Sequence, residues 1–245
     1  MKKSIMTAGL MAIAMGTTAQ AEDVLRIATE GAYPPFNNVT ADGELVGFDV
    51  EIAKALCAEM KRDCEIVAQD WDGIIPGLVN DKYDAIVASM SITPERQQAI
   101  DFTDPYYSNY LSVVAASDTE ITQDTLKDAS IGAQRSTIGS QWAEDTFGSR
   151  ADIRLYDTNP AAFSDLKAGR VDTVVVDFLP GAAWVGENEG FDFVGERIDI
   201  EDKIGIGIRK GETDLSDALN AALSAILSNG TYEAISVDYF GVNIF

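Results

Sequence analysis

The sequence contains no histidine and only two cysteines among its 245 residues. Without histidine the chain cannot form a Ser-His-Asp triad, a Cys-His pair or a histidine metal site. Two thiols with no second pair beside them also make a poor zinc site. The sequence has no P-loop, and no G-x-G-x-x-G motif follows a predicted strand to open a helix. We therefore predict no catalytic residue, no metal and no cofactor.

Positive charge is scarce as well. The chain carries 18 lysines and arginines against 40 aspartates and glutamates, a formal net charge of -22. So acidic a surface repels nucleic acid and anionic membranes, and we expect neither as a partner. Net charge does not indicate which small ligand the protein binds.

Long apolar runs are also scarce, and the one at the N-terminus has the order of parts of a secretory signal. Lys2 and Lys3 precede an apolar stretch over residues 5–15, and Ala19-Gln20-Ala21 closes it with small residues. This run is too short to span a bilayer. We predict a signal peptide over residues 1–21, cleavage after Ala21, and an exported chain with no direct membrane insertion. The alternative is a buried N-terminal helix.

The two cysteines, Cys57 and Cys64, lie close together in the stretch CAEMKRDC. In an exported chain an even, closely spaced pair predicts a disulfide. Such a bridge closes a small loop and ties the end of one helix to the next strand.

Strand-like and helix-like segments alternate along the chain with short turns between them. The strand-like runs, rich in β-branched residues, cover 24–29, 65–68, 84–89, 111–116, 129–133, 153–156, 172–177, 191–194 and 204–209. The amphipathic stretches cover 48–60, 72–80, 94–99, 137–147, 160–168, 180–189 and 213–229. This alternation predicts an α/β fold in which parallel sheets carry helices on both faces.

Two extended runs divide this series into two lobes. FTDPYYSNY, over residues 102–110, interrupts the alternation, and IGIGIRKGETD follows a second series before a C-terminal helix. We predict that residues 22–109 and 205–245 form lobe 1 and residues 110–204 form lobe 2, with a ligand cleft between them. The hinges are expected near residues 109–112 and 199–205.

The stretch SMSITPERQQAIDFTDPYY places a cation at the start of a predicted helix. Ser89 and Ser91 lie where a strand ends, Thr93 and Pro94 predict a helix N-terminus, and Arg96 follows in the first turn. A cation there opposes the helix macrodipole. Either Arg96 pairs with a nearby acid, or the guanidinium, the hydroxyls and the free N–H groups converge on a bound carboxylate.

Other candidate residues also follow predicted strands, where open α/β sheets bind ligands. Glu30 and Tyr33 follow the first strand, Trp71 follows the second, and Asp177 ends the apolar strand DTVVVD. The competing interpretation is core packing for the aromatic residues and solvated surface for the carboxylates.

Seven stretches together resemble one family. They are RIATEGAYPPF, GFDVEIAKALC, DWDGIIPGL, YDAIVASMSITPERQQAIDFTDPYY, IGAQRST, LKAGRVDTVVVD and GIGIRK. The chain resembles the periplasmic solute-binding proteins of amino-acid ABC transporters, family 3, and most of all the lysine/arginine/ornithine- and histidine-binding group. The resemblance implies two α/β lobes joined by two hinge strands, a monomer in the periplasm, an L-amino acid as ligand and an inner-membrane ABC permease as partner.

The resemblance also implies roles for residues. Arg96 would pair with the α-carboxylate of the ligand, helped by Ser91 and by backbone N–H groups at Thr137 and Ile138. Asp177 would take the α-ammonium group, with Ser89 and Ser91 nearby.

Four further positions concern the ligand side chain. Tyr33 and Trp71 match aromatics that sandwich it, Glu30 falls where cation-binding members carry an acid, and Gln134 matches a pocket-lining position. Ala88 lines the same pocket where some relatives have serine, and Cys57 and Cys64 match the disulfide of the group. A cationic ligand is therefore expected.

Three alternatives stay open at this point. The first is that the ligand is a neutral polar amino acid, and the second is that it is an opine. The third is that the protein is an enzyme similar to cyclohexadienyl dehydratases on the same scaffold. An intact clamp of Arg96 and Asp177 disfavours the enzyme, whose substrates are cyclic diacids.

Overall fold

The computed structural model describes residues 24–245, so the predicted signal peptide and its cleavage site lie outside the described residues. The strands are β1 Leu25–Thr29, β2 Ala32–Tyr33, β3 Asn37–Val39, β4 Leu45–Val46, β5 Cys64–Ala68, β6 Ala85–Ser91, β7 Ile100–Phe102, β8 Tyr107–Ala116, β9 Ser130–Gln134, β10 Asp152–Tyr156, β11 Thr173–Asp177, β12 Phe191–Phe193 and β13 Ile198–Arg209. The helices are α1 Phe48–Met60, α2 Trp71–Val79, α3 Arg96–Ala99, α4 Ile138–Phe147, α5 Asn159–Lys167, α6 Phe178–Glu187, α7 Thr213–Ser228 and α8 Thr231–Phe240, with short 3-10 helices at Gln123–Asp128 and Gly148–Arg150.

Every predicted strand and helix has a counterpart in the described chain. The sequence did not predict helix α8, strand β7 or the small sheet in which β2, β3 and β4 pair in that order. The missed strands have two or three residues each, which is too few side chains to show a period. The α/β prediction itself is confirmed.

Most strands join one mixed sheet in the order β10-β9-β11-β8-β13-β6-β1-β5. Strand β1 runs parallel to β5 and β6, and β9 runs parallel to β10 and β11. Strands β8 and β13, however, are antiparallel to each other and to the neighbours that they pair with, β11 and β6. The expectation of purely parallel sheets is therefore wrong for the two strands between the parallel groups.

The two parallel groups are the centres of two lobes, which we call the first lobe (around β1, β5 and β6) and the second lobe (around β9, β10 and β11). Each lobe has an apolar cluster of its own. Ile74, Leu78 and Ile86 pack in the first lobe, and Ile131 and Val175 pack in the second, whereas a third, larger cluster includes residues of both lobes. The predicted lobe boundaries fall inside β8 and β13, the strands that connect the groups, and they stay a prediction.

A disulfide joins Cys57 in α1 to Cys64 at the start of β5. It ties a helix end to the following strand, and the predicted bridge is confirmed. Between residues 24 and 245, no helix combines the length and the apolar character needed to cross a membrane.

Candidate functional site

A single cleft collects the residues that follow the parallel strands of both lobes. Glu30 follows β1, and Ser89 and Ser91 end β6 in the first lobe, whereas Gln134 and Asp177 end β9 and β11 in the second lobe. Since the carboxyl ends of parallel strands meet at one edge of a sheet, the two edges face each other. The cleft is lined by all eleven predicted ligand-binding residues: Glu30, Tyr33, Trp71, Ala88, Ser89, Ser91, Arg96, Gln134, Thr137, Ile138 and Asp177.

Arg96 is held by backbone carbonyls and not by an acid. Its Nη1 donates to the Ser91 carbonyl at 2.9 Å, and its Nη2 donates to the Ser136 carbonyl at 3.0 Å. The guanidinium carbon lies 5.2 Å from the centroid of the Trp71 ring, within cation–π range. Within the described chain no carboxylate forms an ion pair with Arg96. Burial lowers the pKa of this guanidinium, and the nearby carboxylates of Asp202 and Asp177 oppose that shift.

The helix that carries Arg96 is shorter than the sequence predicts. It begins at Arg96 and ends at Ala99, with Glu95 and not Thr93 at the N-cap position, although Thr93 Oγ1 accepts the Arg96 N–H at 3.2 Å. One turn sums few peptide dipoles. The macrodipole therefore contributes little here, and the two carbonyls, not the helix end, explain the position of the guanidinium.

Asp177 stands on the opposite wall, at the end of β11 and at the N-cap position of α6. The Tyr33 hydroxyl donates to its Oδ2 from the first lobe. Burial raises the pKa of Asp177 to about 6, and the bonds from Tyr33 and Asn109 hold it from rising further. A carboxylate enclosed in this way and given only neutral donors suits a cationic group.

Glu30 is only 7% exposed, so the interpretation of a solvated surface acid is wrong. Gln134 Nε2 donates to Glu30 Oε1 at 2.7 Å, and Asn159 Nδ2 donates to Gln134 Oε1 at 2.8 Å. Burial raises the pKa of Glu30 to about 7, and the carboxylates of Asp70, Asp49 and Asp72 add to this shift. Like Asp177, Glu30 has no cationic partner in the described chain.

The two serines at the end of β6 are each backed by a buried acid. Ser89 Oγ donates to Asp49 Oδ2 at 2.9 Å, and Ser91 Oγ donates to Asp202 Oδ2 at 2.9 Å. Neither acid lines the cleft. No sequence pattern points to either acid, since each is one carboxylate among 40.

The loop after β9 supplies backbone donors at the start of α4. Thr137 and Ser140 form a capping box in which the Thr137 N–H donates to Ser140 Oγ at 3.2 Å. The N–H of Ile138, at the first helical position, has no intrahelical acceptor. Of the two predicted donors, Ile138 is therefore the freer one.

Several contacts join the lobes across the cleft. Besides Gln134 with Glu30 and Tyr33 with Asp177, Trp71 Nε1 donates to the Ser136 carbonyl at 3.1 Å. This carbonyl also accepts from Arg96 and therefore serves two first-lobe side chains.

The sequence missed four lining residues: Gly139, Asn159, Val175 and Val176. The two valines belong to an apolar strand and resemble core residues, while Asn159 begins α5 like many helix-start residues. Gly139 does carry a signal of another kind. A Cβ there would lie 3.3 Å from Val175 Cγ1, so the small residue allows α4 to approach β11.

The fold agrees with comparisons to known proteins. Residues 25–242 match the model of a family described as bacterial extracellular solute-binding proteins, family 3. The chain belongs to this family. It is 36% identical over 244 residues to ABC transporter arginine-binding protein 1 of Escherichia coli K12, covering 98% of this chain and 99% of that one. To the lysine/arginine/ornithine-binding periplasmic protein of the same strain it is 33% identical over 258 residues, covering 100% and 99%.

A solved structure of an ancestral arginine-binding protein bound to arginine superposes with a TM-score of 0.85 at 35% identity, covering 90% of this chain and 100% of that chain. The predicted family and the two-lobe periplasmic binding protein fold are thereby confirmed. The relatives are binding proteins by name, and they are similar over nearly the whole of both chains.

Proposed function

We propose that this protein is a periplasmic receptor that captures a cationic L-amino acid, arginine above all, and delivers it to the permease of an ABC importer. Membership of the solute-binding family supports a receptor, and the named relatives support an amino acid. The choice of a cationic ligand rests on the cleft itself.

The observation that carries the proposal is the charge of the cleft wall. Its lining includes one arginine and two carboxylic acids, Glu30 and Asp177, and none of the three has an ion-pair partner in the described chain. With both acids ionised, the wall carries one net negative charge. A zwitterion with one extra cation neutralises it, whereas a neutral amino acid leaves the excess and an acidic one doubles it. Buried charge is costly unless it is paired.

The proposal assigns one charged group of arginine to each of the three charged residues. We infer that the α-carboxylate meets Arg96, with the Ile138 N–H as a further donor, and that the α-ammonium group meets Asp177. The guanidinium then reaches Glu30, which can accept it in a bidentate pair. Tyr33 and Trp71 offer faces for the aliphatic stem and the planar head.

A neutral polar amino acid or an opine is the nearest alternative. A neutral ligand would leave Glu30 without its cation, and an opine carries a second carboxylate to place near the same acids. A thermal-shift screen of the common amino acids, ornithine and an opine separates these ligands, because binding to the folded state raises Tm. Arginine, lysine or ornithine should give the largest rise. A larger rise with glutamine would reject the cationic ligand and keep the receptor.

An enzyme on the same scaffold is the remaining alternative. We propose that the protein is not one, because Arg96 and Asp177 are both present in the cleft and fit an amino acid better than a cyclic diacid. Incubation with prephenate or arogenate, followed by detection of the aromatic product, tests this. Turnover would overturn the assignment as a receptor.

We also propose a monomer whose lobes close on the ligand about hinges near residues 109–112 and 199–205. These segments lie in β8 and β13, which pair at Asn109 and Asp202 between the lobes. Contacts from both lobes favour the closed state when ligand bridges them. Small-angle scattering should show a smaller radius of gyration with ligand, and an equal radius would contradict the hinges.

A further inference from the structure

Two buried acids stand behind the ligand-facing serines, and their hydrogen bonds set the direction of the serine protons. A serine hydroxyl has one O–H donor and two acceptor lone pairs. Ser89 and Ser91 line the cleft, and each is within hydrogen-bond distance of a buried carboxylate. The direction of that proton decides whether the hydroxyl is a hydrogen-bond donor or an acceptor toward the cleft.

At Ser89 the surrounding hydrogen bonds determine the direction of the hydroxyl proton. The Asn37 side chain accepts the Gly31 N–H on Oδ1 at 2.8 Å, so its Nδ2 is the group that donates to Asp49 Oδ2 at 2.9 Å. The Tyr106 hydroxyl accepts the Ser89 N–H at 3.1 Å and donates to Asp49 Oδ1 at 2.7 Å. Both oxygens of Asp49 therefore accept, and the proton of Ser89 points to Asp49 and away from the cleft.

At Ser91 the hydroxyl proton likewise points to a second acid, Asp202. Asp202 Oδ2 accepts from Ser91 Oγ at 2.9 Å and from Asn109 Nδ2 at 2.9 Å. Asp49 is fully buried, so water does not compete with Ser89 for its oxygens, and Asp202 is only 7% exposed. Ser89 in addition has a positive φ of 50°, a conformation that serine adopts only where its surroundings hold it.

We propose that Asp49 and Asp202 are positioning residues that make Ser89 and Ser91 hydrogen-bond acceptors toward the cleft, so that the two hydroxyls and Asp177 form a site with acceptors only. Such a site is complementary to an ammonium group, which has three donors and no acceptor. This inference rests on the proposed function. The resemblance already implies that both serines lie near the α-ammonium group. The inference adds the two acids that orient their protons, and it assigns the Ser91 hydroxyl to the α-ammonium group and not to the carboxylate. The polarity selects ligands that carry an α-amino group.

The test compares two ligands that differ only in that group. Calorimetry measures Kd for arginine and for 5-guanidinopentanoate, its analogue without the amino group, in the wild type and in Ser91→Ala. Loss of an acceptor for a charged donor should weaken arginine about ten- to a hundredfold while the analogue changes less than threefold. Ser89→Ala should act in the same direction. Equal weakening of both ligands would show that the serine serves the carboxylate or the fold, and would overturn the proposal.

Ser112→Ala is the matched control. Ser112 is buried on β8 and donates to the Val176 carbonyl at 3.2 Å, but it does not line the cleft. Its loss should leave the ratio of the two Kd values unchanged. A ratio that moves as far in Ser112→Ala as in Ser91→Ala would overturn the proposal.

The role of the acids is tested by a double-mutant cycle on the same ratio. Asp202→Ala removes the acceptor for the Ser91 proton, so the hydroxyl can turn toward the cleft and the preference for the amino group should fall about tenfold. In that background Ser91→Ala should change the ratio little. Additive effects of the two substitutions would reject coupling through the proton. If the wild type instead prefers glutamine, the proposal of a cationic ligand is rejected. Glutamine and 4-carbamoylbutanoate, its analogue without the amino group, then repeat the test of the serine hydroxyls as acceptors.

Discussion

The two ends of the cleft hold their charged groups in different ways. At one end, Arg96 is fixed by backbone carbonyls of Ser91 and Ser136. At the other end, Glu30 is fixed by a chain of side chains through Gln134 to Asn159. Backbone carbonyls remain when side chains are replaced, whereas a side-chain network changes with each substitution. In the proposed binding mode, the Arg96 end binds the groups that all amino acids share, and the Glu30 end binds the side chain that distinguishes them.

The largest effect should come from the common end. Arg96→Ala removes the only cation of the wall and leaves the ligand carboxylate unpaired, which costs roughly 3–5 kcal/mol, or about a hundredfold to several thousandfold in Kd. All amino-acid ligands should lose affinity together, as measured by calorimetry. Unfolding by urea should change far less, because Arg96 has no carboxylate partner in the described part of the chain.

Arg135→Ala is the control for that experiment. Arg135 lies beside the cleft on the second lobe, 42% exposed, and pairs with Asp157 at 2.9 Å and with Asp72 of the first lobe at 3.8 Å. An exposed pair of this kind is worth little. Wild-type affinity in Arg96→Ala, or an equal loss in Arg135→Ala, would break the assignment of the common end.

The next effect should separate the ends. Glu30→Gln removes the acid that awaits the ligand cation, and arginine should bind about ten- to a hundredfold more weakly because a charge-assisted bond becomes a neutral one. Glutamine should bind as before or better. Glu65→Gln, on an exposed position of β5, serves as the control that changes the same charge away from the cleft. An equal loss of affinity for arginine and for glutamine would contradict the assignment of Glu30 to the ligand side chain.

Proton release should sharpen the same contrast. Burial raises the pKa of Glu30 to about 7, so below that pH the ligand-free acid is largely protonated. A guanidinium beside it lowers the pKa, and binding must then expel the proton. Arginine affinity should rise from about pH 5.5 to pH 8, by at most about tenfold per pH unit, and level off above the ligand-free pKa.

Glutamine isolates this effect, because Asp177, with a pKa of about 6, acts on both ligands alike. Calorimetry in buffers of different ionisation heats counts the protons released. A pH profile for arginine that matches the glutamine profile, or that survives Glu30→Gln unchanged, would contradict the role of Glu30.

The smallest expected effect concerns the contact between the lobes. Trp71→Phe keeps an aromatic face beside Arg96 but loses the bond from Nε1 to the Ser136 carbonyl. A neutral hydrogen bond contributes about 0.5–1.5 kcal/mol, so every ligand should bind about two- to tenfold more weakly. Stopped-flow measurements should place the loss in faster dissociation, since the bond closes the cleft. An unchanged dissociation rate would argue against this contact in the bound state.

The division between the ends also explains what the sequence could predict. Arg96 stands out in the sequence because a cation is predicted at the start of a helix in an acidic chain, although the helix is a single turn whose dipole contributes little. Asp177 and Glu30 were found because they follow apolar strands. The family resemblance supplied Gln134, Thr137 and Ile138, which no local pattern singles out.

What the sequence could not show are the relations between distant segments. The acids behind the serines come from α1 and β13, and nothing in their local sequence distinguishes them from other carboxylates. Antiparallel pairing of β8 and β13 depends on where the chain crosses between lobes, which hydrophobic periodicity does not encode. The length of α3 was also misjudged, because Thr93 and Pro94 mark a helix start but give no information on its end.

The most direct test of the cationic-receptor proposal is a pair of Kd values for the wild type at about pH 7.5, one for arginine and one for glutamine, measured by calorimetry on protein freed of ligand by unfolding and refolding. The two ligands share the groups that meet Arg96 and Asp177 and differ in the cation for Glu30. The account predicts that arginine binds at least tenfold more tightly. Glutamine binding as tightly as arginine, or more tightly, would contradict it.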